Sequence, residues 1–308
     1  MSYAGPGFEP HQPPRSALRR PLALALAVGV LGGAGGWFVW GAVADDGGGD
    51  GRSGAEARSS EVPPSPIGTP GISVPGEPAA PLAGKVVVVD PGHNPGNFKH
   101  TAEINRRVNI GTNSKECDTT GTATNSGYAE AEFTLDVARR LRTILEQQGA
   151  TVKFTQDGDR TPERAFGPCV DERARIGNAA HADAVVSIHA DGSSAGNRGF
   201  HVILPGAVHE GDADTRPIVA SSRLLGERVK DGFARETGSA PSNYIGGGTG
   251  LDTRTDLGGL NLSTVPKVFI ECGNMRDSTD VKQLTSGTWR QKAAQGLSEG
   301  IVSFLRGS

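Results

Sequence analysis

The sequence predicts an α/β fold: a single domain with a mostly parallel or mixed central sheet and helices on both faces. Two observations predict this fold. Short β-branched runs, typical of strands buried on both faces, recur from about residue 84 onward. Amphipathic segments of helical period separate these runs, so strands and helices alternate. The N-terminal quarter shows neither pattern. We therefore expect one folded domain over 84–308, preceded by segments of another kind.

Each strand prediction rests on a short apolar run rich in Val, Ile or Phe. Four such runs fit strands buried on both faces: 85–89, 150–154, 184–188 and 267–270. A further strand is indicated at 199–203. In sheets of this class, functional sites gather at the carboxyl ends of the strands, so polar residues at those ends are the first candidates.

Three segments carry apolar residues at helical spacing. They cover 130–148, 217–235 and 288–305. In the first segment, Val137 and Leu141 fall on one face, as expected for a helix that packs against the sheet. These helices supply the layers that cover the predicted sheet.

The N-terminus is typical of an export segment. Arg15, Arg19 and Arg20 precede an apolar run over 22–44, which exceeds the roughly 20 residues that span a bilayer. Positive charge before the run places residues 1–21 in the cytoplasm. The folded domain is therefore expected to be extracytoplasmic, and the run would connect it to the membrane.

Two interpretations of this apolar run stay open. Its length and the aromatic residues Trp37, Phe38 and Trp40 favour an uncleaved transmembrane signal anchor. Alternatively, Ala42 and Ala44 fit a small-x-small cleavage site, and the protein would then be secreted after cleavage near Ala44.

Residues 45–83 form a Pro-, Gly- and Ser-rich segment with few large apolar side chains. Such a composition buries too little apolar surface to offset chain entropy, so we expect a disordered linker. The whole chain has 31 Lys and Arg against 34 Asp and Glu, a net charge of −3. This balance provides no basic footprint for nucleic acid, and we expect no nucleic-acid partner.

Two histidines follow predicted strands directly. His93 comes after Asp90-Pro91-Gly92, and His189 ends an apolar strand. Because the carboxyl ends of parallel strands meet at one edge of a sheet, the two imidazoles can lie close together. The simpler alternatives are a polar turn residue for His93 and a core histidine bonded to a loop carbonyl for His189. Asp90 could orient a ligand or cap its turn.

Two glutamates complete the candidate site. Glu130 falls on the same helical stripe as Val137 and Leu141, and a carboxylate facing the core needs a partner. A first-turn acid stabilised by the helix dipole is the alternative, and Glu132 lies on the solvent face. Glu271 ends the strand 267–270, where it could handle protons.

Together, His93, Glu130 and His189 form a ligand set suited to one catalytic Zn²⁺, which typically has three protein ligands and one open position. His201, on the strand 199–203, is the reserve candidate. Cys272 follows Glu271, and its side chain should point to the opposite face of the strand. We therefore expect Cys272 to be a buried free thiol rather than a fourth ligand.

These motifs resemble those of the zinc-dependent N-acetylmuramoyl-L-alanine amidases of the amidase-3 type, and most closely those of the short mycobacterial cell-wall amidases. The resemblance covers nearly all of 84–307. It is carried by the stretches 89–93, 125–130, 167–174, 186–192, 198–202, 243–246, 257–261 and 271–274.

The resemblance implies a reaction and a set of roles. His93, Glu130 and His189 would bind one Zn²⁺, and Glu271 would be the catalytic carboxylate. The expected substrate is peptidoglycan: the enzyme would hydrolyse the amide bond between N-acetylmuramic acid and L-Ala of the stem peptide. Water activated by zinc would attack, with Glu271 acting as general base and then as general acid. The alternatives are a non-catalytic cell-wall-binding or regulatory relative and a zinc peptidase.

The resemblance also implies a disulfide between Cys117 and Cys169, which exported proteins can form. Arg254 could bind a substrate carboxylate or carbonyl, or be a surface loop arginine. The polar loop 94–127, with a short helix expected near 102–110, could be a lid, a substrate wall or a pinned flap. We expect a monomer that contacts the membrane through its N-terminal segment. An activator protein of unknown identity could be a further partner.

Overall fold

A computed structural model describes residues 80–158 and 165–307. The predicted export segment and the linker up to residue 79 lie outside these described residues. Within the described part of the chain, no helix is both long enough and apolar enough to cross a membrane. The folded core already includes Leu82, which is fully buried and donates its N–H to the carbonyl of Gln148.

The described residues form ten strands and seven α-helices. The strands are β1 (Val86–Pro91), β2 (Arg107–Asn109), β3 (Ser114–Glu116), β4 (Thr151–Phe154), β5 (Ala184–Asp191), β6 (His201–Pro205), β7 (His209–Glu210), β8 (Ala213–Asp214), β9 (Leu251–Arg254) and β10 (Lys267–Asn274). The helices are α1 (Thr101–Ile104), α2 (Glu130–Gln147), α3 (Val170–Ala179), α4 (Val219–Thr237), α5 (Gly258–Asn261), α6 (Ser278–Leu284) and α7 (Gly287–Arg306).

All five predicted strands and all three predicted helices are confirmed, with ends displaced by a few residues. The long helices α4 and α7 each end at a glycine in the left-handed conformation, Gly238 and Gly307, which closes the last turn without a steric cost. The helix expected near 102–110 is shorter than predicted, because α1 ends at Ile104 and the chain continues into the hairpin β2–β3.

Six strands form one mixed sheet in the order β4-β1-β5-β10-β6-β9. The strands β4, β1, β5 and β10 are parallel, whereas β6 runs antiparallel to β10 and pairs in parallel with β9. The predicted mixed sheet is confirmed. The carboxyl ends of β1, β5 and β10 therefore lie side by side at one edge.

The two faces of this sheet differ in polarity. One face carries apolar side chains such as Val186, Ile188 and Ile270, which belong to the main core together with residues of α2, α4 and α7. The other face, toward α3 and α5, carries Val88 and Val185 but becomes polar toward the carboxyl edge. Helices thus cover both faces, as predicted.

The three cysteines lie where the sequence analysis placed them. Cys117 and Cys169 form a disulfide that links the loop 94–127 to the residue preceding α3. Cys272 is a free thiol, 2% exposed, and packs in the main core on the face opposite Glu271.

Candidate metal centre

The structure brings together the three residues that the sequence predicts as metal ligands. His93 follows β1, Glu130 is the first residue of α2, and His189 lies in β5. One ligand atom from each lies within 4.8 Å of the other two. Nε2 of His93 is 3.1 Å from Oε1 of Glu130, and Nδ1 of His189 is 3.0 Å from the same oxygen. The predicted convergence of two imidazoles on one carboxylate is therefore present.

The turn after β1 holds His93 in place. His93 has a φ of +59°, and the hydroxyl of Thr134 donates to the carbonyl of Gly92 at 2.8 Å. Gly92 itself packs under the ring of His189, where a Cβ atom would lie 2.4 Å from Cε1. A side chain at this position would therefore displace a candidate ligand.

The carboxylate of Glu130 is fixed from two sides. The N–H of Thr122 donates to Oε2 at 2.9 Å, and the N–H of Ala190 donates to Oε1 at 3.2 Å. Glu130 is 4% exposed, whereas Glu132 is exposed on the solvent side of α2. The helical periodicity therefore predicted correctly that Glu130 faces the core and Glu132 faces solvent.

Each candidate histidine has one nitrogen that faces Glu130 and one, here called the outer nitrogen, that points away from it. The outer nitrogen of His93 is Nδ1. Nδ1 of His93 lies 3.1 Å from the carbonyl of Thr119 and 3.4 Å from Oδ1 of Asp118. A carbonyl and a carboxylate only accept, so Nδ1 carries a proton, and Nε2 is the nitrogen that faces Glu130 and is placed to bind a metal ion.

The same reasoning identifies the nitrogen of His189 that faces the candidate metal centre. Ser187 Oγ donates its single proton to Asp90 at 2.8 Å and lies 3.2 Å from Nε2 of His189. The hydroxyl therefore accepts from Nε2–H, and Nδ1 is the nitrogen that faces Glu130 and is placed to bind a metal ion.

The electrostatics at this point favour a positive charge. Burial lowers the pKa of His93, but Glu130 and Asp118 more than offset it, and the pKa lies well above its usual value. Burial raises the pKa of Glu130, but His93 and His189 outweigh it and hold the pKa well below its usual range. Two imidazole nitrogens and one carboxylate oxygen are ligands that suit Zn²⁺, so the residues fit this ion.

Glu271 lies beside the three candidate ligands. It is the direct partner of His189 in the ladder β5–β10 and of His201 in the ladder β10–β6, so the three side chains share one face. Its Oε2 is buried without a hydrogen-bond partner among the described residues. Burial, Glu130 and Asp191 raise its pKa well above the usual value, although His93 and Arg254 act in the opposite sense.

His201, the reserve candidate, is 3% exposed and lies on the far side of Glu271 from His189. Its ring contacts Tyr244 edge-on with centroids 6.2 Å apart, and the Tyr244 hydroxyl donates to Asp191 at 2.7 Å. Burial lowers the pKa of His201, which favours the neutral imidazole. His201 therefore does not join the ligand cluster.

Arg254 ends β9, and its guanidinium is already engaged. Nε and Nη2 donate to the two carboxylate oxygens of Asp256 at 2.8 and 2.7 Å, and Lys115 donates to the same carboxylate at 2.9 Å. A substrate anion would have to compete with Asp256 for this arginine. Its role in substrate binding stays a prediction.

The loop 94–127 forms a wall of the centre. Asp118 and Thr119 contact His93, and Thr122 holds Glu130. A cavity of ≈310 Å³ adjoins the histidines and is partly apolar, with Val170, Leu257 and Phe269 in its lining. The ring of Phe269 stacks on His189 with centroids 5.2 Å apart.

Sequence reasoning did not find Asp118, Arg173 or Ser187. Arg173 lies in α3, whose charged sequence resembles a solvated helix, yet Arg173 is 5% exposed. Ser187 could have been found from alternation, because it precedes His189 by two residues and so shares its face. Asp118 follows a half-cystine, which is the available hint that it is held in place.

Comparisons with known proteins agree with this geometry. The family model described as N-acetylmuramoyl-L-alanine amidase (Amidase_3) matches residues 87–303. The N-acetylmuramoyl-L-alanine amidase Rv3717 of Mycobacterium tuberculosis is 40% identical over 242 residues, which cover 77% of this chain and 93% of that protein.

Two crystal structures show the same fold at high coverage. The amidase Ami1 from Mycobacterium smegmatis superposes with a TM-score of 0.66 at 38% identity, over 74% of this chain and 99% of that one. Apo Ami1 from Mycobacterium abscessus gives a TM-score of 0.64 at 40% identity, over 73% and 100%. The chain therefore belongs to the amidase-3 family of N-acetylmuramoyl-L-alanine amidases.

Proposed function

We propose that this peptidoglycan amidase cleaves the bond between N-acetylmuramic acid and L-Ala with one Zn²⁺ held by His93, Glu130 and His189, and with Glu271 as proton carrier. Family membership supports the amide bond and the substrate. The observation that carries the metal assignment is the convergence of three ligand atoms within 4.8 Å. Glu271, in register with His189 on the neighbouring strand, supports the proton-transfer role.

Zinc, when bound, would polarise a carbonyl and lower the pKa of a water molecule toward about 7. Glu271 would take a proton from the attacking water and deliver it to the nitrogen of L-Ala as the amide bond breaks. Burial raises the pKa of this carboxyl in the metal-free protein, and the same burial would help it to return the proton to the leaving nitrogen. Thr122 and Ala190 would keep Glu130 oriented throughout.

Two alternatives remain from the sequence analysis. A non-catalytic wall-binding or regulatory relative would have no need for Glu271, which here lies beside three intact ligand candidates. A zinc peptidase would need a cation to fix a peptide C-terminus, and the candidate Arg254 is engaged by Asp256. Both arguments favour the amidase.

We also propose that the chain acts outside the cytoplasm, on the cell wall. The segment 22–44 would hold it at the membrane, or the protein would be secreted after cleavage near Ala44. Monomeric state and an activator protein stay predictions. Fractionation of cells that produce the full-length chain would test the anchor: we expect the protein in the membrane fraction, and a mature N-terminus at Asp45 in the medium would contradict an anchor.

The central experiment uses the full-length chain in mild detergent, supplied with Zn²⁺ and incubated with a defined muramoyl-peptide. Mass spectrometry should show free stem peptide with a new L-Ala amino terminus. We expect Glu271→Gln to lower the rate about 10²- to 10⁴-fold, as for loss of a general base, without loss of zinc. Glu132→Gln, an exposed neighbour of Glu130, is the control and should keep full activity.

The outcomes separate the alternatives. Cleavage at another peptide bond would support a zinc peptidase. Tight zinc binding without any cleavage would contradict the amidase proposal and support the binding relative. Full activity in Glu271→Gln would remove that residue from the mechanism.

A further inference from the structure

Arg173 lies at the middle of a buried chain of polar contacts that begins at His93. The outer nitrogen of His93 is 3.4 Å from Oδ1 of Asp118, and Oδ2 of Asp118 accepts from Nη2 of Arg173 at 3.0 Å. Asp118 and Arg173 are each 5% exposed. A charge pair shielded in this way is weakly screened by solvent and holds its geometry.

The chain continues from Arg173 to the second histidine. Nη1 of Arg173 donates to Oδ1 of Asp90 at 2.7 Å, and Oδ2 of Asp90 accepts from Ser187 at 2.8 Å. The Ser187 hydroxyl lies 3.2 Å from the outer nitrogen of His189. Asp90 is fully buried and Ser187 is 1% exposed. One guanidinium therefore connects to the outer nitrogens of both candidate histidine ligands, His93 and His189.

Arg173 is also tied to the turn that carries His93. Nη1 donates to the carbonyl of Pro91, Nη2 to the carbonyl of His93, and Nε to the carbonyl of Pro168. The planar fork of arginine can serve these acceptors and two carboxylates at once, whereas a lysine ammonium has three donors on one atom. The position thus requires an arginine rather than any cation.

We infer that Arg173 is a positioning residue of the metal centre, which sets the orientation of His93 through Asp118 and of His189 through Asp90 and Ser187. The inference rests on the proposed metal site. Hydrogen-bonded partners of ligating histidines fix the ring tautomer and orientation and typically contribute 10- to 100-fold to metal affinity. A residue that holds two histidines should contribute more than a partner that holds one.

The test measures zinc affinity of the full-length chain by competition with a chromophoric chelator. We expect Ser187→Ala and Asp118→Ala each to weaken zinc binding about 10- to 100-fold. Ser187→Ala removes the acceptor at the outer nitrogen of His189, and Asp118→Ala leaves the outer nitrogen of His93 with the Thr119 oxygens alone. Arg173→Lys should weaken it more than either. The visible absorption of the Co²⁺-loaded protein should also change in Arg173→Lys, since the ligand geometry relaxes at both imidazoles.

A double-mutant cycle separates a shared network from independent contacts. If Arg173 acts through Ser187, then Ser187→Ala should cost less in the Arg173→Lys background than in the wild type. If the double variant loses zinc affinity by the product of the two single losses, the residues act independently and the inference is overturned. Wild-type zinc affinity in Arg173→Lys would overturn it as well. If Arg173→Lys does not fold, the substitutions of Ser187 and Asp118 still test the inference. Unchanged zinc affinity in both would refute the chain of contacts.

Matched controls lie on the same elements or have the same chemistry. Arg175→Lys changes an arginine of α3 that is 65% exposed and pairs with Asp171, and it should leave zinc affinity unchanged. Ser298→Ala is the control for Ser187→Ala. It removes a fully buried hydroxyl in α7 that accepts a hydrogen bond from Gln148. Circular dichroism should show all variants folded.

These measurements fail independently of the proposed reaction. A wild-type protein that binds zinc but does not cleave the muramoyl-peptide would contradict the proposed function and leave the positioning role of Arg173 intact. Conversely, an active amidase whose zinc affinity is indifferent to Arg173→Lys would overturn the positioning role alone.

Discussion

Gly92 packs directly against the imidazole of His189, and a Cβ atom at residue 92 would lie 2.4 Å from Cε1 of the ring. Gly92→Ala should therefore displace His189 by an ångström or so. Misplacement on this scale can cost about 10²-fold in rate. We expect a loss of this order in kcat/KM, together with weaker zinc binding, in assays of the full-length chain.

Gly287→Ala is the control for this substitution. Gly287 begins α7, and the nearest atom to a Cβ there, on Arg290, is 3.9 Å away. This variant should keep full activity. Wild-type zinc affinity in Gly92→Ala would show that the ring has room to shift without cost.

Asp90 should be a large determinant of stability. It is fully buried and accepts from Arg173 and Lys267, so Asp90→Asn leaves Lys267 without its counter-charge and Arg173 with Asp118 alone. Removing one partner of a buried ion pair costs about 3–5 kcal/mol. Urea unfolding at pH 7 should show a loss of this size, whereas the exposed Asp231→Asn should stay within about 0.5 kcal/mol.

The pH dependence of that loss has a definite sign. Burial raises the pKa of Asp90, but Lys267 and Arg173 outweigh it and depress the pKa well below the usual range. The stabilisation is therefore present above the unfolded pKa of about 3.9 and is lost as the pH falls below it. The difference between wild type and Asp90→Asn should shrink in acid, and a difference that grows there would contradict the assignment.

Glu271 should destabilise the metal-free protein at neutral pH. Its folded pKa is raised, first by burial and then by Glu130 and Asp191, so its contribution is favourable below the unfolded pKa of about 4.3 and is lost as the pH rises. Glu271→Gln should therefore raise the melting temperature of the chelator-treated protein, by more at pH 8 than at pH 4.5. A gain that disappears at pH 8 would argue against the raised pKa.

The Cys117–Cys169 disulfide should stabilise both the fold and the centre. Replacing both cysteines by serine should cost about 2–5 kcal/mol, because the bridge closes a loop between positions 52 residues apart. Zinc affinity should fall as well, since Cys117 precedes Asp118. Thermal unfolding with and without reductant checks this: reductant should lower the wild-type transition and leave the double variant unchanged.

Much of the fold could be predicted from local patterns. The β-branched runs placed the central strands, and helical spacing placed Glu130 inward and Glu132 outward. The alternation of side chains along β10 predicted correctly that Glu271 and Cys272 point to opposite faces of the sheet. These features depend on a single element and its periodicity, which the sequence records directly.

The surroundings of the centre depended on contacts between distant elements. Arg173 sits in a helix without an apolar stripe, and its burial follows from two acids that come 83 and 55 positions earlier in the chain. The register that sets Glu271 beside His189 is likewise a property of the assembled sheet. No local periodicity encodes either relationship, so both required the structure.

The row of His189, Glu271 and His201 across three neighbouring strands has a consequence for how this enzyme can change. Spacing between strands is set by main-chain hydrogen bonds at about 4.8 Å and is almost independent of the side chains around it. The proposed metal ligand on β5 and the proposed proton carrier on β10 are thus held at a spacing that the sheet backbone fixes, while the walls of the cleft come from loops. Evolution or engineering can therefore change wall residues that contact no candidate ligand, such as Leu257, to select other stem peptides while these three side chains keep their positions.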